Sequence, residues 1–394
     1  MSELGSRALF PHLAWRIYLD HAAVGPLPAP ALEAACAGLR AQAVDGVAAM
    51  ARLFEEAGHV REAFAALVGA DPEGVCLTGN TSDGVSAIAT CLPWRPGQRV
   101  LLFEGEFPSN VTPWQQAAAA HGLELVWLPA EALRTDDGLL RVEEELRRGI
   151  RLVAVSAVQF QTGLGAPLDA LVPLAHAHGA LVFVDAIQAA GLVPLRMDAT
   201  DVDFLACGGQ KWLMGPVGTG VLAVRPDHFR SLHPRLASWL SHTDPLRFLH
   251  GEPGRLGYDQ PLQQGPAIFE GGARNLAGHM ALAASLRVLL DVGVDAAFAH
   301  VQRYLDVLEE GLVARGFTSA RSADPRRRSG ILSVRPPEGV PLTTLVTALH
   351  GSGVSVSTPD GWLRCAPSWP NSLAELPVVL DVVDGALAAA RRSR

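Results

Sequence analysis

The sequence predicts a mostly parallel β-sheet covered by helices on both faces, followed by a smaller α+β domain. Three observations carry this. Short apolar runs alternate with longer Ala- and Leu-rich runs as far as about residue 225, the pattern of strands joined by helices. An irregular stretch rich in Pro, Gly and His then runs from Ser231 to Gly272. Beyond it, two strong helical patterns precede two isolated strand-like runs and a last helix.

Taken in order, GVCL (Gly74 to Leu77) reads as a strand, and VLLF (Val100 to Phe103) and LELVWL (Leu123 to Leu128) follow. LVAVSAV (Leu152 to Val158) and LVFVD (Leu181 to Asp185) are the clearest. DVDFLAC (Asp201 to Cys207) and GTGVLAVR (Gly218 to Arg225) contain further strand-like runs. WQQAAAAHG and LDALVPLAHAHG are helical stretches between them. In the last part, GHMALAASLRVLLDVG and DAAFAHVQRYLDVLEEGLVARG read as helices, and GILSVR and GVSVS as strands. SLAELPVVLDVVDGALAAARR reads as the final helix despite Pro377. The large domain is placed at 18–255 and the small one at 273–394, with residues 1–17 packed on the latter.

Composition narrows the function. The 394 residues suffice for one large and one small domain, and 49% hydrophobic content supplies a core. A net charge of -8 gives no support for nucleic-acid binding. The basic runs Arg326 to Arg328 and RRSR at the C-terminus read as solvated loop and tail. The five cysteines are widely spaced with no CxxC, so neither a metal cluster nor a disulfide scaffold is expected. No run has signal-peptide or membrane-span character. The expectation is a soluble cytoplasmic protein.

Ligands of such sheets sit beyond the carboxyl ends of the strands, where the informative residues fall. Thr81, Ser82 and Asp83 stand at a helix start, either as a plain cap or as a phosphate cradle. Phe107 follows a strand, either as a ring-stacking platform or as a loop aromatic folded inward. Asp185 ends a strand of four apolar residues. It either caps the next helix or partners a protonated ring nitrogen, with Gln188 close enough to address the same ligand. Lys211 sits in GGQKWLMGPVGTG beside Trp212, Leu213 and Met214. It is either a solvated turn lysine or a nucleophile with a lowered pKa. A phosphate cradle, a stacking ring, an acid and a lysine are the parts of a pyridoxal phosphate site.

From YLDHAAVGPLP (Tyr18 to Pro28) through VDAIQAAG and KWLMGPVGTG to the last helix, the chain resembles the class V aminotransferase family of pyridoxal phosphate enzymes. That family includes cysteine desulfurases, selenocysteine lyases and isopenicillin N epimerase-like proteins. The resemblance implies the fold-type I architecture of these transferases and a homodimer with active sites near the interface. It implies Lys211 as the Schiff-base lysine and proton shuttle, Asp185 as pyridine-nitrogen partner and Gln188 as partner of the cofactor's phenolic oxygen. Thr81, Ser82 and Gln210 become phosphate contacts, and Phe107 the stacked ring. Gln161 falls near the cofactor or substrate face. Arg364, in WLRCAPSWPNS, becomes the clamp on a substrate carboxylate. FEGGARNLAG is similar to the segment that reaches the partner's phosphate. Ala273 stands there where many relatives have threonine, with Arg274 or Asn275 as possible substitutes. Asn275 is also counted with the substrate residues.

Desulfurases of this family use a loop cysteine, and the counterpart stretches DPRRRSGILSV and VSVSTPDGWLR contain none. Cys365 and Cys207 read as packed core residues. The expected chemistry therefore leans to α,β-elimination, C–S lyase-like, on a small amino acid. An epimerase or aminotransferase is the near alternative, and a non-catalytic dimeric scaffold the distant one.

Overall fold

The computed structural model describes residues 3–249 and 253–392. The chain opens with β1 (Ile17–Tyr18) and three helices, Ala29–Asp45, Met50–Gly58 and Val60–Val68. The main sheet is then built from β2 (Val75–Thr78), β3 (Arg99–Phe103), β4 (Glu124–Leu128), β5 (Ile150–Ser156), β6 (Leu181–Asp185), β7 (Phe204–Gly208) and β8 (Gly220–Val224). Their order across the sheet is β2-β8-β7-β6-β5-β3-β4.

β4, β3, β5, β6 and β7 pair in parallel, whereas β8 runs antiparallel to both β7 and β2. The expected mostly parallel sheet is present, with one strand reversed. The reason lies in the connection. Between Gly208 and Gly220 the chain forms turns and no helix, and a parallel return needs a crossover, usually helical.

Alternation along the strands splits the core. Val153, Val155, Val182, Val184 and Leu205 face one side, where helices Val60–Val68, Leu168–Ala177 and Leu276–Val292 pack. Leu152, Ala154, Phe183, Phe204 and Ala206 face the other, under Val85 and Ile88 of helix Thr81–Cys91 and Trp114 of helix Thr112–His121. Each fully buried Val, Leu, Ile or Phe here contributes about 1.5–3 kcal/mol. The parallel strands all end on one rim, which carries Ser156, Asp185 and Gly208.

The C-terminal part has its own antiparallel sheet, β9 (Thr318–Ser319), β10 (Leu332–Arg335) and β12 (Leu363–Cys365), with β10 central; β11 (Val354–Ser355) pairs instead with β1. Helices Val294–Val313, Leu342–Gly351 and Leu376–Arg392 accompany it. Pro377 lies in the first turn of the last helix, where a missing N–H costs nothing. The N-terminal segment runs against this part: Gly5 N–H donates to the Trp369 carbonyl, and Phe10 packs on the Trp369 ring. Residues 1–2 lie outside the described residues.

Two sequence readings need correction or extension. Residues 29–68 received no assignment from the pattern, yet they form three helices. The first is Ala-rich with few buried side chains, so its sidedness is faint. The run Arg326 to Arg328 is not simply a solvated loop, because a turn at Pro325–Arg327 buries Arg327. Of the RRSR tail, Arg391 and Arg392 end the last helix exposed, and the final two residues lie outside the described ones. No helix among the described residues is long and apolar enough to cross a membrane.

Candidate active site

Lys211 lies in the turn between β7 and β8. Its carbonyl accepts from Met214 N–H at 3.0 Å, and Met214 takes a left-handed φ of 51° to close the turn. A non-glycine residue there stores strain of the kind that collects at functional sites. Gly25, in the N-terminal LDHAAVGPLP segment, donates its N–H to the Gln210 carbonyl at 2.7 Å. A Cβ on Gly25 would stand 2.1 Å from the Lys211 carbonyl oxygen, so only glycine fits. The N-terminal segment is thereby pinned against the lysine's backbone.

Burial pushes the Lys211 ammonium down to about 8, against the pull of Asp185, which favours the charge; Arg364 lowers it further. At pH 7.5 about a quarter of the side chain is then neutral amine, against about 0.1% for an ordinary lysine. Lys211 is also the only lysine in the chain; every other Lys-or-Arg position is arginine. Competitive acetylation of the cofactor-free protein should therefore modify one internal amine, with a midpoint near pH 8. The α-amino group is distinguished by peptide mapping. A midpoint above pH 10 would contradict the dry setting.

Asp185, at the end of β6, is 2% exposed. Burial raises its carboxyl to about 6, opposed by the Ile187 N–H, which donates to Oδ1 at 2.9 Å, and by Lys211. Such a carboxylate is short of positive charge. Gln188 is held by its own neighbours: its Nε2 donates to the Ala22 carbonyl at 3.0 Å and its Oε1 accepts from the Trp212 indole at 2.9 Å. One amide hydrogen of Gln188 is left to offer.

Thr81 begins the helix after β2 and accepts the Gly208 N–H at 2.9 Å. Asn80 caps that helix by accepting from Asp83 N–H. Gln210 has a buried Oε1 with no partner. A Cβ on Gly208 would meet that oxygen at 2.4 Å and Thr81 Oγ1 at 3.2 Å. The missing side chain leaves a small polar cradle between Thr81 and Gln210, beside a helix N-terminus. Turned over, the Gln210 amide presents N–H to it. Ser82 is directed elsewhere, with its hydroxyl donating to Ser109 Oγ at 2.7 Å.

Phe107 is 43% exposed, edge-on to Phe160 at 5.2 Å, and lies 5.6 Å from Lys211 Nζ. Arg364, in β12, is 5% exposed. Its Nε donates to Ser357 Oγ at 3.1 Å and its Nη1 to the Phe160 carbonyl at 2.9 Å, while Nη2 lies 3.7 Å from Asp20. Gln161 Nε2 donates to Asp360 Oδ2 at 3.1 Å, on the loop before β12. Asn275 caps helix Leu276–Val292, its Oδ1 accepting from Gly278 N–H. It lines a different cavity, of about 390 Å³, with Gly79, Asp83, Ala273 and His279.

The fold thus gathers Thr81, Phe107, Asp185, Gln188, Gln210, Lys211 and Arg364 around one rim. Three further residues were not singled out from sequence. Glu106 accepts from Ser156 N–H at 2.7 Å and from Asn110, and fixes the loop that carries Phe107. Its burial raises it to about 7. Asp20 orients Arg364 through Ser357. His21 stacks on Trp212 at 6.1 Å, and burial holds it neutral by lowering its pKa to about 4. Their signal is burial, which residue spacing does not display.

The class V aminotransferase family description matches residues 17–372. The chain belongs to the class V aminotransferase family. A probable cysteine desulfurase of Pyrococcus abyssi is 28% identical over 307 residues, 75% of this chain and 72% of that protein. An isopenicillin N epimerase of Streptomyces clavuligerus is 26% identical over 379 residues, 93% and 94% of the two chains. The apo structure of a cysteine desulfurase from Thermococcus onnurineus superposes with a TM-score of 0.84 at 25% identity, covering 95% of each chain. The cystine C-S lyase C-DES, in complex with its product cysteine persulfide, has a TM-score of 0.85 at 24% identity, over 94% and 98% of the two chains, and shares the fold.

This class V aminotransferase is accordingly a pyridoxal phosphate-dependent enzyme of that superfamily. Its residues fit the cofactor. Among the described residues Asp185 makes no ion pair and has only the nearby charge of Lys211 to offset its burial, Gln210 Oε1 has no hydrogen-bond partner, and Gly208 leaves room where a side chain would stand.

Proposed function

We infer that this class V aminotransferase abstracts the Cα proton of a small α-amino acid and expels a β-substituent, in the manner of a C–S lyase. The carrying observation is the combination of a dry, low-pKa Lys211 with the Arg364 carboxylate clamp and no thiol in the stretches DPRRRSGILSV and VSVSTPDGWLR. Thr81 and Gln210 would hold the cofactor phosphate. Asp185 would hold the ring nitrogen, Gln188 the phenolic oxygen, and Phe107 the ring face. The cofactor supplies an electron sink for the carbanion. Lys211 takes the proton as a neutral amine and returns it as an ammonium, and Arg364 binds the α-carboxylate in its planar fork.

The cysteines support elimination without persulfide transfer. Cys76, Cys91, Cys207 and Cys365 are buried, and burial raises the Cys365 thiol to about 12. Cys36 lies on the N-terminal helix Ala29–Asp45. The unpaired thiols fit a reducing, cytoplasmic setting. The second reading, epimerisation, is favoured by the nearly full-length similarity to isopenicillin N epimerase. A panel of amino acids assayed for released thiol, keto acid and inverted α-carbon separates the two. Release of the thiol together with keto acid supports the lyase; inversion of the α-carbon, or keto acid with the β-substituent kept, overturns it. Domain limits of 18–255 and 273–394 belong to the same proposal.

A homodimer completes the proposal. Phe54, Trp239, Leu246, Phe248, Leu249, Leu256 and the 88% exposed Tyr258 are large apolar side chains left in solvent. Phe54, Trp239 and Leu246 line one cavity of about 450 Å³ beside Arg274. Exposed patches of this kind mark association surfaces. In light scattering, the parent is expected at twice 41.6 kDa and a W239E/L246E variant at 41.6 kDa. Equal masses for both would exclude this surface.

A further inference from the structure

The run Arg326 to Arg328 reads as surface charge, yet Arg327 is 7% exposed and its Nη1 is buried without a hydrogen-bond partner. Its neighbours are neutralised. Arg326 pairs with Asp324, Arg328 with Asp306, and Arg196 with Asp198. Arg327 makes no ion pair among the described residues. Asp324 feels its charge but is already bound by Arg326. A buried guanidinium without a counter-charge is costly and is kept where something compensates it.

Arg327 lines a cavity of about 230 Å³ between its own loop and the large sheet's helices. The walls are mainly apolar: Val158, Leu168, Val193, Pro194 and Leu195. Helix Leu168–Ala177 begins there from Pro167 with no side-chain cap; its Leu168 N–H donates to the Ala166 carbonyl and its Ala170 N–H to the Pro167 carbonyl, so it offers the cavity the positive end of its dipole and not a row of free amides. Asp169 stands exposed at the mouth. The backbone is fixed: Gly165 N–H donates to the Arg327 carbonyl at 2.8 Å, and Ser329 Oγ to the Gly163 carbonyl at 2.7 Å. Lys211 and Asp185 do not line this cavity, although Ala157, which does, donates its N–H to the Asp185 carbonyl at 2.8 Å.

We propose that this cavity is a second binding site, for a small carboxylic acid with a short hydrocarbon body. Its carboxylate pairs with Arg327 and the helix start, and its apolar part lies against Val158, Leu168, Val193 and Leu195. A bare phosphate matches the charge but not these walls.

The test is calorimetric titration of the holoenzyme at constant ionic strength, in an Arg364→Ala background so that the substrate clamp does not take the probe. Sodium isobutyrate is expected to bind saturably with one site per chain, at least tenfold more tightly than with Arg327→Met added. Isobutyramide is expected not to bind. Inorganic phosphate binding as tightly as isobutyrate would overturn the assignment of the ligand class. Equal isobutyrate affinity with and without Arg327 would overturn the site. Thermal unfolding in anion-free buffer guards against misfolding. Arg327→Met should melt at or above the parent, since it removes an unpaired buried charge, and Arg327→Lys should keep part of the affinity. A lower melting temperature for Arg327→Met would mean that Arg327 is structural, and the proposal would fail.

Discussion

Lys211→Ala is expected to lower kcat/KM by at least about three orders of magnitude, the scale of a lost proton-transferring nucleophile. The residue's environment makes the loss specific. Its amine is depressed to about 8 by burial, and no other lysine exists in the chain to substitute for it. Lys211→Arg keeps a cation beside Asp185, yet a guanidinium stays protonated in proteins and does not accept the proton. Both variants should therefore be inactive, with Arg closer to the parent in stability because Asp185 keeps its counter-charge. Borohydride treatment of the cofactor-loaded parent should add the cofactor mass to the peptide containing Lys211, and to no peptide of either variant. Parent-level turnover in Lys211→Ala would refute the assignment of the whole site.

Arg364→Ala is expected to raise KM for the amino-acid substrate about 10- to 150-fold, the equivalent of about 1.5–3 kcal/mol for charge-assisted hydrogen bonds. Cofactor affinity should change far less, because the cradle residues Thr81 and Gln210 are separate from β12. Arg364→Lys should restore charge but not the two-pronged geometry, and so recover little. The same substitution to alanine removes a charge that lowers the Lys211 pKa, so the pH midpoint of acetylation should move upward. Equal losses of cofactor and substrate binding would instead point to a collapse around Asp20 and Ser357, which Arg364 ties together.

Much of the fold was legible because its strands are buried on both faces and read as continuous apolar runs. LVFVD is an example, every residue of it but the first being buried. The reversal of β8 was less legible, since an apolar run reads the same in either direction. Its sign lay in the helix-free link that carries Lys211. Asp185 and Lys211 were legible for a related reason: each is a charge in an apolar setting, and such placements are costly unless a ligand or partner compensates. Ser82 and Asn275 were also chosen from position in a motif. Their side chains are turned to Ser109 and to a helix cap, orientations that depend on rotamer and packing.

By itself, the sequence determined the strands of the main sheet and the rim on which Asp185 and Lys211 stand. These follow from local hydrophobicity and from where charge interrupts it. Only the tertiary structure decided that Gly25 must be glycine, that Glu106 holds the Phe107 loop, that Asp20 and Ser357 aim Arg364, and that Arg327 is enclosed without a counter-ion among the described residues. Each of these joins segments far apart in the chain or depends on burial. Contact and desolvation are properties of the assembled fold, and no local pattern of residue types encodes them.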